Sequence, residues 1–353
     1  MRKLVTIQRI KDIQPIPLAD TIEKAQINEW WVVVKKGEFK VNELVCYFEI
    51  DSFLPVIPEY DFLLRGSKPK KMLVDGIEKE GIRLKTIKLR GQISQGLIMP
   101  ISILEGKKYP NDSRENSEYK FTEGKDVSEL LNVIKYEPPV PANLAGLVKG
   151  NFPSFIPKTD EERLQNCSYL LDEEKGTLVY ITSKLDGTSV TYFKYNGEFG
   201  VCSRNLELKE TEGNTLWEMA KQYKLRDIPD GFAVQGELMG EGINKNQLKL
   251  KGHRLFVFNV YDINNSKYLD INDMFDFCNK YGLEFVPILF KGIPLNFTFD
   301  ELMEIANKKS PFGDFMQEGI VVRPIIEKRV MIGGTSGRFS FKLISNNYLL
   351  KEE

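Results

Sequence analysis

Along the first hundred residues, apolar positions come in short runs broken by glycines and charged turns. W-W-V-V-V (Trp30–Val34) is followed by K-K-G-E and then by L-V-C-Y-F-E-I (Leu44–Ile50). I-R-L-K-T-I-K-L (Ile82–Leu89) and Q-G-L-I-M-P (Gln95–Pro100) continue the series. Short strands at this spacing predict a small β-barrel. From Glu105 to about Pro153 the pattern lapses. K-K-Y-P-N-D-S-R-E-N-S (Lys107–Ser117) and E-P-P-V-P-A-N (Glu137–Asn143) flank one short helical candidate, Val127–Ile134. Residues 105–150 therefore read as a linker with one ordered piece.

The second half mixes both periods. Leu178–Ser183 reads as a strand, and Thr188–Lys194 and Glu198–Ser203 read as a hairpin across Tyr195-Asn196-Gly197. Asn214–Lys224 has a helical apolar face. Phe232–Leu238, Arg254–Asp262, Glu318–Arg323 and Phe339–Ile344 read as strands, while Asn272–Tyr281 and Asp300–Lys308 read as helices. The order predicts an α+β domain with a largely antiparallel sheet rather than a βαβ series.

Composition narrows the classes. A chain of 353 residues suits two domains, and 42% hydrophobic with 28% charged residues is ordinary for a globular protein. A net charge of -1 supplies no global field for nucleic acid, so any such surface must be local. Cys46, Cys167, Cys202 and Cys278 form no C-x-x-C pair, which argues against a zinc ribbon or a disulfide framework. His253 is the single histidine, so a histidine-based triad or multi-histidine metal site is not expected. Without an apolar run of about 18 residues or a secretory leader, the chain is expected to be soluble and cytoplasmic. The usual Gly-rich phosphate cradles are absent from the sequence.

The chemistry concentrates in Y-I-T-S-K-L-D-G-T-S (Tyr180–Ser189), where Lys184 ends a strand two residues before Asp186-Gly187. A strand-end lysine commonly packs its stem and keeps its amine in water, so K-x-D-G is weak by itself. A neutral lysine in a nucleotide pocket, however, is a nucleophile toward an α-phosphate. That chemistry also needs cationic phosphate contacts, carboxylates for a metal and an apolar face for a base. These follow in order: Arg204; Glu237 in Q-G-E-L-M-G; Phe256 and Phe258 in L-F-V-F-N-V-Y-D; Glu318 and Arg323 in E-G-I-V-V-R-P; Arg338 and Lys342 in R-F-S-F-K-L-I.

Taken together, these residues resemble the motifs of the covalent nucleotidyltransferase superfamily of ligases and capping enzymes. Lys184-Leu185-Asp186-Gly187 resembles its nucleophile motif. Arg204, Glu237, Phe258 (or Phe256), Glu318 and Lys342 match the later motifs in order. Three further segments are similar to the ATP-dependent RNA ligases of the Deinococcus and Naegleria type: V-V-V-K-K-G-E-F-K with Y-F-E-I-D-S-F-L-P, T-I-K-L-R-G-Q-I-S-Q-G-L, and P-S-F-I-P-K-T-D-E-E-R-L-Q-N. The resemblance implies an OB-fold barrel at 1–104, a linker at 105–150, and an adenylyltransferase domain at 151–353 with ATP-grasp-like antiparallel sheets plus helices.

By the same resemblance, Lys184 takes AMP from ATP, AMP passes to a 5′-phosphate end, and a 3′-OH then displaces it. Arg163, Thr182, Asp186, Gly187, Arg204 and Lys342 are expected at the nucleotide, with Phe258 or Phe256 on adenine. Glu237, Glu318 and Asp186 are expected to hold Mg²⁺ or Mn²⁺ through waters. Ser340 stands where the family often has the first lysine of K-x-K, so the expectation is that either Arg338 compensates or one lysine suffices. Lys35, Lys36, Arg83, Lys85, Lys88 and Arg90 form the expected nucleic-acid patch of the barrel, set against the plainer reading of a solvated strand edge. Glu49 and Asp51 are an alternative aid to the nucleotide site. The expected partner is RNA ends, a nicked duplex with RNA on the 3′-OH side, in an RNA-repair role, with the protein a monomer. The competing readings are an mRNA guanylyltransferase, a DNA ligase, or a non-catalytic RNA-end binder. The first two carry the OB domain after the catalytic domain, and the eleven residues beyond Lys342 leave no room for it.

Overall fold

The computed structural model describes residues 2–64, 66, 68–74, 77–108, 121–137 and 146–351. They fall into two compact units, Met1–Val140 and Pro141–Glu353.

In the first unit, Leu44–Phe48 is the centre of an antiparallel sheet between Val5–Arg9 and Leu97–Pro100. A meander of Asp12–Pro15, Ile22–Ile27 and Trp30–Lys35 follows the alternation of the sequence, with Trp30, Val32 and Val34 buried. The expected strand Ile82–Leu89 is two strands. Ile77–Arg83 pairs with Ser52–Pro55 in one sheet, and Thr86–Leu89 forms a hairpin with Gln92–Gln95 in another. Leu84 is buried at the break, which re-aims the chain and divides the expected basic cluster.

The expected linker is also revised. Val127–Ile134 is not a helix but a hydrogen-bonded turn leading into the short strand Ile134–Lys135, which pairs with Ser52-Phe53. Val127, Leu130, Leu131 and Val133 are buried in the same core as Val5, Ile7 and Phe48. Ser128 Oγ accepts the Leu4 and Val5 amides at 3.1 and 2.9 Å. Apolar burial thus makes this segment part of the first unit. Residues 109–117 of the first polar stretch and 138–143 of the second lie outside the described residues.

In the second unit, Val148–Asn151 is already a strand, paired with Leu206–Leu208 at the edge of the larger sheet. That sheet runs through Glu198–Cys202, Thr188–Tyr195, Phe232–Gly240 and His253–Asp262. The Asn196-Gly197 hairpin forms as its residues require, both at positive φ. Helices Thr215–Gln222 and Ile271–Tyr281 bury Trp217, Met219, Met274 and Phe277 with Val190, Tyr192, Leu238 and Val257 of the sheet. The smaller sheet has the order Glu162–Arg163, Phe341–Ile344, Gly319–Pro324, Leu178–Lys184, Ile288–Pro294. Its Val179 and Ile181 pack with Leu302 and Ile305 of helix Phe299–Ala306. Successive strand residues face opposite ways, so Tyr180, Thr182 and Lys184 take the other face. Tyr180 there joins the core of the larger sheet, so Lys184 projects on the side that faces that sheet.

Candidate active site

Register gathers most of the expected residues. Thr182 pairs with Val321, Val321 with Lys342, and Lys342 with Arg163, while Lys184 pairs with Gly319. Thr182, Lys184, Lys342 and Arg163 therefore lie on one face of the smaller sheet. On the facing sheet, Ser189, Glu237 and Phe256 are register partners.

Lys184 Nζ donates to Glu318 Oε2 at 2.5 Å, with side chains 27% and 15% exposed. Glu318 sits one residue before the strand that pairs with the lysine strand, so local register delivers it. Burial alone would push the Lys184 ammonium down. The carboxylates of Glu318, Glu237 and Asp186 outweigh it and hold the group above the ordinary lysine value. The expected neutral amine is thus a protonated one in the nucleotide-free protein, because its neighbours are anions. Glu237 is pushed up to about 7, by burial first and by the charges of Glu318 and Asp186, against the pull of Lys184 and of the Gly187 amide. That amide donates to Glu237 Oε1 at 3.0 Å.

Gly187 is needed for space, not for an unusual backbone angle. A Cβ there would stand 2.3 Å from the Leu238 carbonyl oxygen and 2.5 Å from Met239 Sδ. Gly187→Ala is expected to destabilise the protein by about 1–3 kcal/mol. It should also slow Lys184 chemistry by roughly 100-fold, since a shift of about 1 Å at a reacting group has that effect. Denaturant melts and single-turnover labelling measure both.

Among the described residues, no three His, Cys, Asp or Glu side chains converge to grip a metal directly. Three carboxylates nevertheless surround one ammonium, and Glu237 is ionised only against the resistance of its surroundings. That excess of negative charge fits a hydrated divalent cation, which keeps several waters and needs few direct carboxylates.

The structure separates the two aromatics. Phe256 is 1% exposed and packed with Leu185, Met239 and Val286, its ring 5.3 Å from that of Phe312. Phe256 is therefore wall, not a free stacking face. Phe258 is half-buried at the bulge that interrupts pairing between Gln235 and Gly236. Arg204 is exposed just past the hairpin. Lys342 donates to Asp160 at 2.8 Å.

Arg338 does not stand in for the missing lysine. It is bonded to both oxygens of Glu327, lies 3.6 Å from Glu161, and stacks 3.6 Å over the Tyr268 ring. Arg323, 3% exposed in its side chain, donates to Glu161 at 2.8 Å. The two arginines balance the two carboxylates, and they hold the Glu161 carboxyl down at about 2 despite its burial. Ser340, 2% exposed, sits beside this set, where a lysine would add a third buried cation. Arg338 Nη1 also donates to Asn259, which donates to Gln235. The sequence reading missed Asp160, Glu161, Glu327, Gln235, Asn259 and Asn244. Asp160 and Glu161 lie in the segment that carried Arg163, so only their pairing was hidden.

In the first unit, Lys35, Lys36, Lys85, Lys88 and Arg90 are exposed. Arg83 is not available in the same way, because it donates to Asp51 at 2.7 Å and lies 4.7 Å over the Tyr136 ring. Glu49 is 5% exposed and bound by Arg2 at 2.5 Å. Glu49 and Asp51 are thus engaged in ion pairs of their own unit. His253 Nε2 lies 2.8 Å from the Glu241 carbonyl, and all four cysteines are buried and outside any disulfide. No helix among the described residues is long and apolar enough to cross a membrane.

An OB-fold domain model matches residues 4–101, and an RNA ligase model matches residues 177–344. No curated protein matches the chain. Among solved structures, Naegleria gruberi RNA ligase with PPi superposes with a TM-score of 0.83 at 36% identity, covering 99% of this chain and 98% of that one. A lysine-to-methionine mutant of that enzyme with AMP and Mn gives 0.82, 36%, 99% and 98%. A lysine-to-alanine mutant with ATP and Mn gives 0.81, 36%, 98% and 98%. With an OB-fold domain ahead of a lysine-centred ligase domain, and 36% identity across 99% of its length, this chain belongs to the RNA ligase family.

Proposed function

We propose that this protein is an ATP-dependent RNA ligase that joins 5′-phosphate and 3′-OH ends by three displacements at phosphorus. The carrying observation is the Lys184 amine at the end of its strand, within a carboxylate cluster, in a chain of this family. The Naegleria structures with ATP, AMP, PPi and Mn supply the nucleotide and metal by kinship.

In the first displacement, Lys184 Nζ loses a proton and attacks the α-phosphorus of ATP. The N–P bond forms and the bond to pyrophosphate breaks, leaving AMP on the lysine. In the second, an oxygen of an RNA 5′-phosphate takes the AMP and the lysine is released. In the third, a 3′-OH loses its proton, bonds to the 5′-phosphorus and expels AMP. Such steps depend on positioning and charge neutralisation. Arg163, Arg204 and Lys342 are the cations for phosphate, Thr182 lines the floor, and Asp186 and Gly187 shape the sugar side. Phe258 is the partner for adenine. Glu237, Glu318 and Asp186 would hold Mg²⁺ or Mn²⁺ through waters. The bound cation would neutralise phosphate charge and relieve the anionic field that keeps Lys184 protonated. Phosphate contact by the first unit falls to Lys35, Lys36, Lys85, Lys88 and Arg90. We assign 1–104 as the nucleic-acid-binding barrel and 151–353 as the adenylyltransferase domain. A cytoplasmic monomer repairing nicked duplexes with RNA on the 3′-OH side fits this assignment.

Incubation with α-labelled ATP and Mn²⁺ is expected to leave label on the denatured chain, and GTP or NAD is not. Label from GTP alone would make it a capping-type enzyme, and none from any donor would leave an RNA-end binder. The labelling rate is expected to depend on pH in a defined way. An amine held above its ordinary value is protonated throughout pH 6–9, so its neutral fraction rises about tenfold per unit. Below about 7, Glu237 takes up a proton as well; this eases Lys184 deprotonation but takes a carboxylate from the cation, and the second effect should dominate and steepen the fall. A flat single-turnover profile between pH 6 and 9 would remove the carboxylate control of Lys184.

A further inference from the structure

Between the strands Phe232–Gly240 and His253–Asp262, the chain leaves the larger sheet as a closed loop, Glu241 to Gly252 (E-G-I-N-K-N-Q-L-K-L-K-G). Its ends are joined, because the Glu241 amide donates to the Gly252 carbonyl at 3.2 Å. Asn246 fastens the interior, accepting the Leu250 amide at 3.1 Å and donating to the Leu250 carbonyl at 3.0 Å. Compact loops of this kind hold their shape through their own contacts.

The loop is attached to the nucleophile motif at two points. Asn244 Nδ2 donates to Asp186 Oδ1 at 2.6 Å and to the Gly187 carbonyl at 2.8 Å. Leu248 and Leu250 pack into the cluster containing Leu185 and Met239. Inward leucines leave Lys245, Lys249 and Lys251 exposed. None of the three side chains has an ion-pair or hydrogen-bond partner among the described residues, and Glu241 is the single acid in the loop. A rigid, net-positive surface is thereby fixed to the residues directly after Lys184. Nothing in the first adenylyl transfer requires solvent-facing cations there, since the amine itself faces the opposing sheet.

We propose that this loop is a contact site for RNA phosphodiesters next to the ends being joined, with Lys245, Lys249 and Lys251 each neutralising backbone charge. The 5′-phosphate must reach an AMP carried by Lys184, so its strand passes the motif to which the loop is tied. This inference rests on the ligase reading, but its own readout is RNA affinity, which does not require ATP.

The test compares wild type with the triple variant Lys245→Ala, Lys249→Ala and Lys251→Ala, using a 5′-phosphorylated nicked RNA duplex at several salt concentrations. The expected result is binding weakened roughly tenfold or more at low salt. The salt dependence of log K should lose a slope of about 2–3, one unit for each phosphate contact removed. Lysine labelling by ATP should stay within about twofold of wild type. Unchanged RNA affinity and salt slope would overturn the proposal. So would a parallel fall in ATP labelling, which would make the lysines contacts of the nucleotide. Wild-type protein that binds RNA but takes no label from ATP would overturn the ligase reading instead, and the binding comparison would still judge the loop.

Discussion

Lys184→Ala is expected to leave no AMP on the denatured chain and to reduce ATP-dependent joining by at least about 10⁴-fold, the scale of losing a covalent nucleophile. The argument is positional. Lys184 is the last residue of its strand, faces the opposing sheet, and meets the Glu318 carboxylate at 2.5 Å. Two other lysines of the domain are held elsewhere, Lys342 on Asp160 and Lys194 on the Arg226 carbonyl, while Lys245, Lys249 and Lys251 face solvent. Removing the amine also leaves Glu318 and Glu237 without their nearest cation, a buried-charge imbalance that costs about 1–3 kcal/mol. A melt beside the labelling assay separates this from loss of chemistry. Label retained by a folded Lys184→Ala protein would place the covalent step on another residue and end the present assignment.

Glu237→Gln should move stability and activity in opposite directions. The Glu237 carboxyl is held at about 7 in the folded protein, against 4.5 ordinarily. A raised carboxyl means that the folded chain binds a proton which the unfolded chain has released. The cost therefore enters as pH rises through about 4.5 and is complete above about 7. Neutral glutamine removes it and can still accept the Gly187 amide. At pH 8 the variant is expected to be more stable by about 1–3 kcal/mol, a few degrees in Tm, and the gain should vanish near pH 4. Lysine adenylylation should fall about 100-fold or more, because a carboxylate that would hold the divalent cation through water is gone. A variant that is destabilised at pH 8 would show that Glu237 is ionised without cost, and would remove the reason for assigning it to a cation.

The surroundings of Arg338 make it a tie between strands. Its guanidinium is shared among Glu327, Glu161, Asn259 and the Tyr268 face, and so joins the strand leading to Lys342 with the strand carrying Phe258. Ser340 needs no substitute there, since Arg323 and Arg338 already balance Glu161 and Glu327.

Much of this protein was legible in its sequence. Alternation over Trp30–Lys35 and Leu178–Lys184, Asn196-Gly197 at a turn, and the Asn214 cap of helix Thr215–Gln222 are local signals. Period-2 alternation set which side chains share a face, so Thr182 and Lys184 could be grouped before any pairing was known. The ordered motifs supplied Glu237, Glu318 and Lys342. Tertiary structure decided the rest, because a charged side chain's partner is chosen by proximity in space. Arg83 meets Asp51, Arg2 meets Glu49 and Arg338 meets Glu161 across sequence separations that no local pattern encodes. The strand break at Leu84 answers to burial in a barrel core. Gly187 is explained only by the Leu238 carbonyl packed against it. The protonation of Lys184 likewise belongs to the fold: its sequence neighbours make it a candidate nucleophile, but Glu318 and Glu237, distant in sequence, do most to set its charge.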